Sequence, residues 1–223
     1  MGLNRLFRWS RRIASGIISW VRGLAQRGWF VVPGKGGDMY FHFGTRKVIE
    51  AAGLLLRCRA NRRMSYLRLL KLLYIADRES LGETGRPIIG TRPVAMDHGP
   101  VHSEVLDWIN GKRRGSEEWA RFIGIADTHY LVLTTDPGQL TLSQYEVDKL
   151  QEVCRRYEGL TRFQLADLTH DFWEWQKNFS EGTSKRIPLA DIVEAVGRKA
   201  DQDEIGREAV RQTRLRRFFG AAV

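Results

Sequence analysis

At 223 residues, with 43% hydrophobic and 10% aromatic residues, the chain is long and apolar enough for one folded domain with appendages or for two small domains. Its formal net charge of +10 is uneven, because residues 1–37 contain seven basic side chains and no acidic one. The remainder is nearly balanced, which argues against specific nucleic-acid binding. Two cysteines exclude a disulfide framework and are typical of a reducing cytosol, and no apolar run is long enough to span a bilayer.

Residues 3–25 have the pattern of a basic amphipathic helix. Their apolar side chains fall on one side of a helical wheel and their arginines on the other. Such a helix suits the plane of an anionic membrane surface, and docking on the rest of the chain or on a partner is an alternative. A third interpretation is that the start is mis-assigned and that Met39 is the true first residue. The glycines after Pro33 indicate a linker. The candidate contacts with a membrane or partner helix are Arg5, Phe7, Arg8, Trp9, Arg12, Ile17 and Trp20.

Two further helices are predicted after the linker. The first extends from about Thr45 to Arg59, with Thr45 at its N-cap. The second covers Tyr66 to Leu81 and is capped by Ser65. Gly82 stands where a C-cap glycine is expected, so the helix is predicted to end there.

The segment after Gly82 is rich in glycine and proline and predicts a connector of defined shape, with a short strand at Pro93–Met96. Gly99-Pro100 is expected to open a new helix, because a proline at the first helical position loses no hydrogen bond. That helix ends at Asn110-Gly111. The connector glycines are not a phosphate-binding loop, since the Gly-Lys-Ser/Thr ending is missing and no strand precedes them.

Apolar and polar residues alternate on both sides of Asp136-Pro137-Gly138. This pattern predicts one β-hairpin, formed by residues 130–135 and 139–143. Ser143 and Glu146 have the spacing of a capping box, which starts a helix after the hairpin. Three more helical segments follow this one, at Thr161–Thr169, at Leu189–Val196 and in an arginine-rich continuation to Phe219, with an aromatic cluster around Trp173 and Trp175.

His98 and His102 are four residues apart, a spacing that suits zinc when both lie on one helix. Pro100 lies between them, so the two rings need not converge. We therefore interpret these histidines as polar groups at a helix N-terminus, where Asp97 can cap free N–H groups. No metal site and no cofactor are predicted.

Catalytic residues are not predicted either. His102, Ser103 and Glu104 are adjacent and would diverge on a helix, so they do not form a triad. Cys154 and His170 are far apart in sequence, and the simpler interpretation of Cys154 is a buried helical cysteine. The chain is therefore expected to bind a partner and not to act as an enzyme.

Five short motifs follow one another in a specific order along the chain. They are Leu70-Lys71-Leu72-Leu73-Tyr74-Ile75-Ala76-Asp77, Thr84-Gly85-Arg86-Pro87, Gly99-Pro100-Val101 with Val105, Leu142-Ser143 into Glu146, and Leu168-Thr169-His170 followed by Trp173. Together they resemble the Panacea domain, also called the SocA-like antitoxin domain, of bacterial and phage toxin–antitoxin systems. The resemblance covers about Phe41 to Lys177. It departs from the family pattern at His98, where an aromatic residue is common, and at His102, where a second proline is common.

The resemblance implies an antitoxin that neutralises a protein toxin encoded nearby by direct contact. Some members of the family resemble proteolytic adaptors, which would add a cellular protease as a partner. A membrane-surface or nucleic-acid-binding accessory protein is the alternative. The segment from Arg86 to Glu104 is expected to be exposed and to offer one surface to the toxin. The candidate toxin-binding residues are Lys71, Tyr74, Arg86, Asp97, His98, His102, Glu104, Trp173 and Trp175.

The predicted elements add up to a mainly α fold. We expect a compact helical bundle with one β-hairpin, plus the N-terminal amphipathic helix. Three segments are predicted: the basic extension and linker at 1–38, the SocA-like domain at 39–186 and a helical, arginine-rich segment at 187–223. A cytoplasmic location is expected, and attachment at the inner face of the membrane is the alternative.

Overall fold

A computed structural model describes residues 40–219, with side chains to residue 215. The chain divides into two units after Asp38, and the description below concerns the second unit alone. Residues 1–39 and 220–223 lie outside the described residues. So do all seven candidates for membrane or partner-helix contact.

The fold is mainly α, as the sequence predicts. The helices, in chain order, are α1 (Thr45–Arg57), α2 (Tyr66–Thr84), α3 (Ser103–Ile109), α4 (Ser116–Ala120), α5 (Gln144–Arg156), α6 (Arg162–His170), α7 (Trp173–Asn178), α8 (Leu189–Ala195) and α9 (Gln202–Phe219). Helices α1, α5 and α6 pack around α2, whose residues 68–77 are all buried.

Local capping signals explain where most of these helices begin. Ser65 accepts a hydrogen bond from the Arg68 N–H at the start of α2. Ser143 and Thr161 start α5 and α6, and each is part of a complete capping box. Such caps stabilise a helix by about 1 kcal/mol each, which makes helix starts readable from sequence.

The end of α2 differs from the prediction, because the helix passes Gly82 and ends at Thr84. Gly85 is the C-cap, with φ +75, a left-handed conformation that favours glycine. Gly82 serves packing instead, since a Cβ at that position would lie 3.3 Å from the Cβ of Val196. The sequence signal therefore identified a glycine with a different role.

Within residues 40–219, six short strands form two antiparallel three-stranded sheets. The strands are β1 (Arg63–Ser65), β2 (Pro93–Met96), β3 (Gly99–His102), β4 (Ile123–Asp127), β5 (Tyr130–Leu133) and β6 (Lys185–Arg186). Their order is β1-β5-β4 in one sheet and β3-β2-β6 in the other. The prediction of one hairpin is wrong, since β2–β3 and β4–β5 are both hairpins.

The hairpin predicted around Pro137 is also misplaced. Residues 130–133 do form a strand, but its partners are β4 and β1, and residues 139–142 form no strand. Pro137 packs against α1 instead, where a Cβ on Gly53 would lie 2.6 Å from the proline ring. The chain does leave the strand before Pro137, yet the segment that follows packs against helix α1 and not against a strand.

The predicted helix start at Gly99-Pro100 is wrong as well. Residues 99–102 form β3, in which Pro100 pairs with Ala95 of β2, and α3 begins only at Ser103. Asp97 therefore caps no helix there. Its carboxylate accepts a hydrogen bond from the Gly182 N–H at 2.9 Å.

One hydrophobic cluster joins segments on both sides of the predicted boundary at residue 186. It combines residues before α1, in α2, β2 and α7, directly after β6, and in the last two helices: Phe41, Leu81, Ala95, Trp175, Ile187, Ile192, Val193, Ile205 and Ala209. The boundary at 186 thus divides a single core, and residues 187–209 complete the domain.

Candidate functional site

Helix α2 carries five buried polar side chains at a spacing of three residues, and the middle three form the site: Arg68, Lys71, Tyr74, Asp77 and Ser80. Lys71, Tyr74 and Asp77 are almost fully inaccessible to water, although the surrounding helix is leucine-rich. Residues three apart lie on one side of a helix, so the three groups form a row. The row faces the β2–β3 hairpin, the connector before it and α7, as their contacts show. Because burying polar groups is costly, each member should have a defined partner.

Asp77 fixes the shape of the connector. Its carboxylate accepts hydrogen bonds from the backbone N–H groups of Ile88, Ile89 and Gly90 at 2.9, 2.8 and 3.1 Å. Burial raises the pKa of Asp77 to about 7, and these N–H groups oppose that rise. One carboxyl group on α2 therefore holds three consecutive peptides of a segment that has no regular structure of its own.

His102 lies beside this carboxyl group. Its Nε2 is 3.5 Å from Asp77 Oδ2, and its ring is 5.6 Å from the ring of Tyr74. Burial lowers the pKa of His102 to about 3, against the effect of the nearby Leu73 carbonyl, so the ring is neutral at pH 7. Neither ring nitrogen, nor the buried Thr91 hydroxyl, makes a hydrogen bond of normal geometry.

A small cavity of about 30 Å³ adjoins these groups. Tyr74, Asp77, Thr91 and His102 all contribute to its lining. That volume is on the scale of a single water molecule and is too small for an organic ligand. The arrangement therefore serves the internal polar network and not a substrate.

Glu174 links α2 to α7. It is 0% exposed, and its Oε1 accepts hydrogen bonds from the Tyr74 hydroxyl at 2.9 Å and from Arg78 Nε at 2.7 Å. The Arg78 guanidinium also lies 4.3 Å from the centre of the Phe172 ring. Burial raises the pKa of Tyr74, and the Glu174 carboxylate raises it further, so Tyr74 is the proton donor. The position of α7 is consequently set by a buried, charge-assisted contact.

The two predicted tryptophans have different roles. Trp175 is buried, donates from Nε1 to the Met96 carbonyl at 3.0 Å, and stacks against His170 and Phe179. Trp173 is 42% exposed, with Lys177 Nζ 4.6 Å from its ring centre. Of the pair, only Trp173 is available to a partner.

Lys71 also forms an internal hydrogen bond. Its Nζ donates to the Pro100 carbonyl at 2.7 Å, and burial lowers its pKa well below the usual value. Gly99 beside it has φ +85, and a Cβ there would lie 2.3 Å from Thr169 Oγ1 and 3.0 Å from Lys71 Nζ. Only glycine fits that position, where the β2–β3 turn meets α2 and α6.

The expectation that residues 86–104 are exposed is wrong, since only Arg86 and Arg92 in this range are exposed. Arg86 pairs with Glu208 at 3.0 Å. Glu104 is buried and pairs with Arg113 at 2.8 Å. Of the nine candidate toxin-binding residues, Arg86 and Trp173 are exposed and Asp97 and His98 are partly buried, whereas the rest are buried: Lys71, Tyr74, His102, Glu104 and Trp175.

Sequence reasoning gave no role to three residues that organise the site. Asp77 and Arg78 end the leucine-rich part of α2, and Glu174 lies between the two tryptophans. A charged side chain inside an apolar or aromatic run was the available signal, because such groups are buried only when paired. Their partners are distant in sequence and could not be identified from it.

The described residues contain neither a group of metal ligands nor a membrane-spanning helix. Among residues 40–219, no three His, Cys, Asp or Glu side chains are grouped as ligands of a metal ion would be. No helix within this range has the length and apolar content needed to cross a membrane. Cys154 interacts with Cys58, whereas the His170 ring stacks on Trp175.

Comparison with known proteins gives one match. No curated protein and no solved structure matches the chain. Residues 69–176 match the family described as antitoxin SocA-like, Panacea domain. The matched segment contains the whole buried network, from Lys71 and Asp77 to Glu174. The resemblance noted in the sequence is confirmed, since residues 69–176 of this chain match the SocA-like Panacea domain.

Proposed function

We propose that this protein is an antitoxin that neutralises a protein toxin by binding it directly, without catalysis. The match of residues 69–176 to an antitoxin domain is the observation that carries this proposal. The buried polar groups of that domain support a binding role, because they form internal hydrogen bonds that hold its surface in a fixed shape. A rigid surface loses little conformational entropy on association, which favours affinity.

Trp173 is the best candidate for the central contact. Tryptophan is enriched among the residues that dominate binding energy at protein interfaces. It is the first residue of α7, and the next two residues, Glu174 and Trp175, are both buried anchors. Asn178 at the end of α7 donates to Asp191 at 2.7 Å. The helix is thus held at both ends, and the exposed ring is presented in a defined place.

Charged groups surround this ring. Lys177 lies over it and forms an ion pair with Asp191 at 2.8 Å. Arg78 lies against the neighbouring Phe172 and is partly exposed. An aromatic centre with a charged rim is the usual composition of a protein-binding patch. We therefore place the toxin contact at α7 and not in the buried connector.

A co-expression experiment tests the function. The open reading frame next to this gene is expressed alone and together with the full chain. We expect growth arrest when it is expressed alone, growth when the two are expressed together, and a co-purified complex. A neighbouring product that is harmless alone, or that is rescued without forming a complex, would contradict direct neutralisation.

A substitution on α7 tests the location. We expect Trp173→Ala to weaken the complex about thirtyfold, which corresponds to about 2 kcal/mol, and to abolish rescue. Phe163→Ala is the matched control, because Phe163 lies on α6, is 41% exposed and also has a cation, Arg162, over its ring. Equal effects of the two variants, or none from Trp173→Ala, would place the interface elsewhere. Circular dichroism checks that both variants remain folded.

A further inference from the structure

The two cysteines of the chain lie next to each other in the fold. Cys58 is the C-cap residue of α1, and Cys154 lies in the last turns of α5. Both are free thiols that interact with each other, and Cys58 Sγ also donates a hydrogen bond to the Leu54 carbonyl at 3.4 Å. The chain has two cysteines in all. Their meeting across two helices, from positions far apart in sequence, is therefore a specific arrangement.

The two thiols have different environments. Cys58 is half-buried, and its pKa is lowered by the neighbouring Cys154 thiol and by the charges of Arg57 and Arg155, while burial and the charge of Glu158 oppose that change. Cys154 is 4% exposed, and its pKa is raised by the neighbouring Cys58 and by burial. A partly exposed thiol between arginines, next to a buried second thiol, is the pattern of a reactive cysteine with a resolving partner.

We propose that Cys58 and Cys154 are a peroxide-sensitive pair that converts into an intramolecular disulfide. Cys58 reacts first, since it is the more exposed of the two and lies beside the arginines. Its thiolate attacks one oxygen of hydrogen peroxide, so that an S–O bond forms, the O–O bond breaks and hydroxide leaves. The product is a sulfenic acid on Cys58.

Cys154 completes the reaction. Its sulfur attacks the Cys58 sulfur, an S–S bond forms, and the S–O bond breaks. The hydroxyl group leaves as water with the proton of the Cys154 thiol. The two sulfurs together give two electrons to the peroxide, and the hydroxide of the first step takes up a solvent proton. A thiol reductant reverses the change.

The disulfide would join α1 to α5, two helices that pack against each other and against α2. A cross-link between segments far apart in sequence restricts the unfolded chain and stabilises the folded one. The oxidised protein should therefore melt at a higher temperature than the reduced protein. The proposal does not depend on the toxin, so it can be tested on the purified full-length chain alone.

The reduced full-length protein is treated with hydrogen peroxide at pH 7. We expect both free thiols to disappear, the intact mass to fall by two hydrogens, and a cross-linked peptide containing Cys58 and Cys154 to appear after digestion. The melting temperature should rise and return on reduction. Persistence of both thiols, or over-oxidation of Cys58 without a cross-link, would overturn the proposal.

Three variants separate the steps. Cys154→Ser should accumulate a sulfenic acid at Cys58 that dimedone traps, and Cys58→Ser should leave Cys154 unmodified. Arg155→Gln should slow thiol loss about threefold, because it removes a positive charge near the thiolate. Arg121→Gln, which removes an exposed arginine at the C-cap of α4, is the matched control and should react at the native rate. Modification of Cys154 in the Cys58→Ser variant, or equal rates for the two arginine variants, would contradict the assigned order of reaction.

Discussion

Helix α2 uses polar residues on two faces, and the two sets behave differently. The buried face holds Tyr74 and Asp77, each with fixed partners in the connector or α7. The other face carries Glu79 and Glu83, which form ion pairs with α5. Buried hydrogen bonds are costly to leave unmade, whereas exposed ion pairs contribute little. On this one helix, the buried hydrogen bonds therefore specify the fold, whereas the exposed ion pairs add little to its stability.

The exposed network has redundant partners. Lys149 Nζ lies 2.7 Å from Glu83, 2.8 Å from Glu152 and 3.6 Å from Glu79. Arg156 contacts both Glu79 and Glu152. Removing any one carboxylate leaves the cations with others, and water reaches Glu83, Glu152 and Arg156, although Lys149 itself is buried. The buried face has no alternative acceptor, since Asp77 alone accepts the three hydrogen bonds from the connector.

The strongest test removes the buried acceptor. Asp77→Ala leaves the N–H groups of residues 88–90 without their partner, and we expect a loss of at least about 4 kcal/mol in the free energy of unfolding. Asp77→Asn keeps one carbonyl oxygen and should lose about half as much. Urea unfolding of both variants measures this. A change below about 1 kcal/mol for Asp77→Ala would show that the connector does not depend on the buried carboxylate.

The pH dependence of stability gives a second test. The pKa of His102 is lowered to about 3, so this group contributes stability that is lost as pH falls below its unfolded pKa of 6.5. The pKa of Asp77 is raised to about 7, so this group contributes stability that is lost as pH rises from about 4 to 7. The two contributions oppose each other between about pH 4.5 and 6.

Single variants should separate these contributions. Relative to the native chain, His102→Gln should gain stability as pH falls through this window, and Asp77→Asn should gain stability as pH rises through it. Each difference should change by about 2 kcal/mol, because one proton corresponds to about 1.4 kcal/mol per pH unit. Urea unfolding across the range measures it, with the double variant as the control that should remain parallel to the native chain. Slopes of the same sign would contradict the assignment.

The smallest effect should come from the exposed network. Glu152→Ala leaves Lys149 with Glu79 and Glu83, so we expect the free energy of unfolding to fall by less than about 1 kcal/mol. The difference should shrink further at high salt, because exposed charges are screened. Urea unfolding at low and high ionic strength tests this. A large loss that is insensitive to salt would remove the contrast between the two faces of α2.

Helix positions were largely predictable because their signals are local. Ser65, Ser143 and Thr161 each cap a helix through a residue three positions further on. Gly99-Pro100 also has the local form of a helix start, yet pairing with Pro93–Met96 makes it a strand. Local pattern cannot show which distant segment pairs with a stretch of chain, so two strands, at 93–96 and 130–133, were predicted but their partners were not.

The site was predictable in part for the same reason. The motif containing Lys71 and Asp77 was recognisable, and Trp173 and Trp175 stood out as aromatic. Their division into one exposed and one buried ring depends on Glu174 reaching Tyr74, a contact across the fold. The cysteine pair depends on helix packing in the same way. Such long-range contacts decide which candidate faces a partner, and the sequence contains no direct record of them.

The hydrophobic cluster that spans residue 186 has a practical consequence for producing this protein. A fragment trimmed to the family match at 69–176 would lack Phe41 on one side and Ile187, Ile192 and Ile205 on the other. The apolar surface around Trp175 would then face water, which promotes aggregation. The recognisable segment and the smallest foldable segment are therefore different lengths of chain. An expression fragment that preserves the core has to start before Phe41 and continue past Ala209.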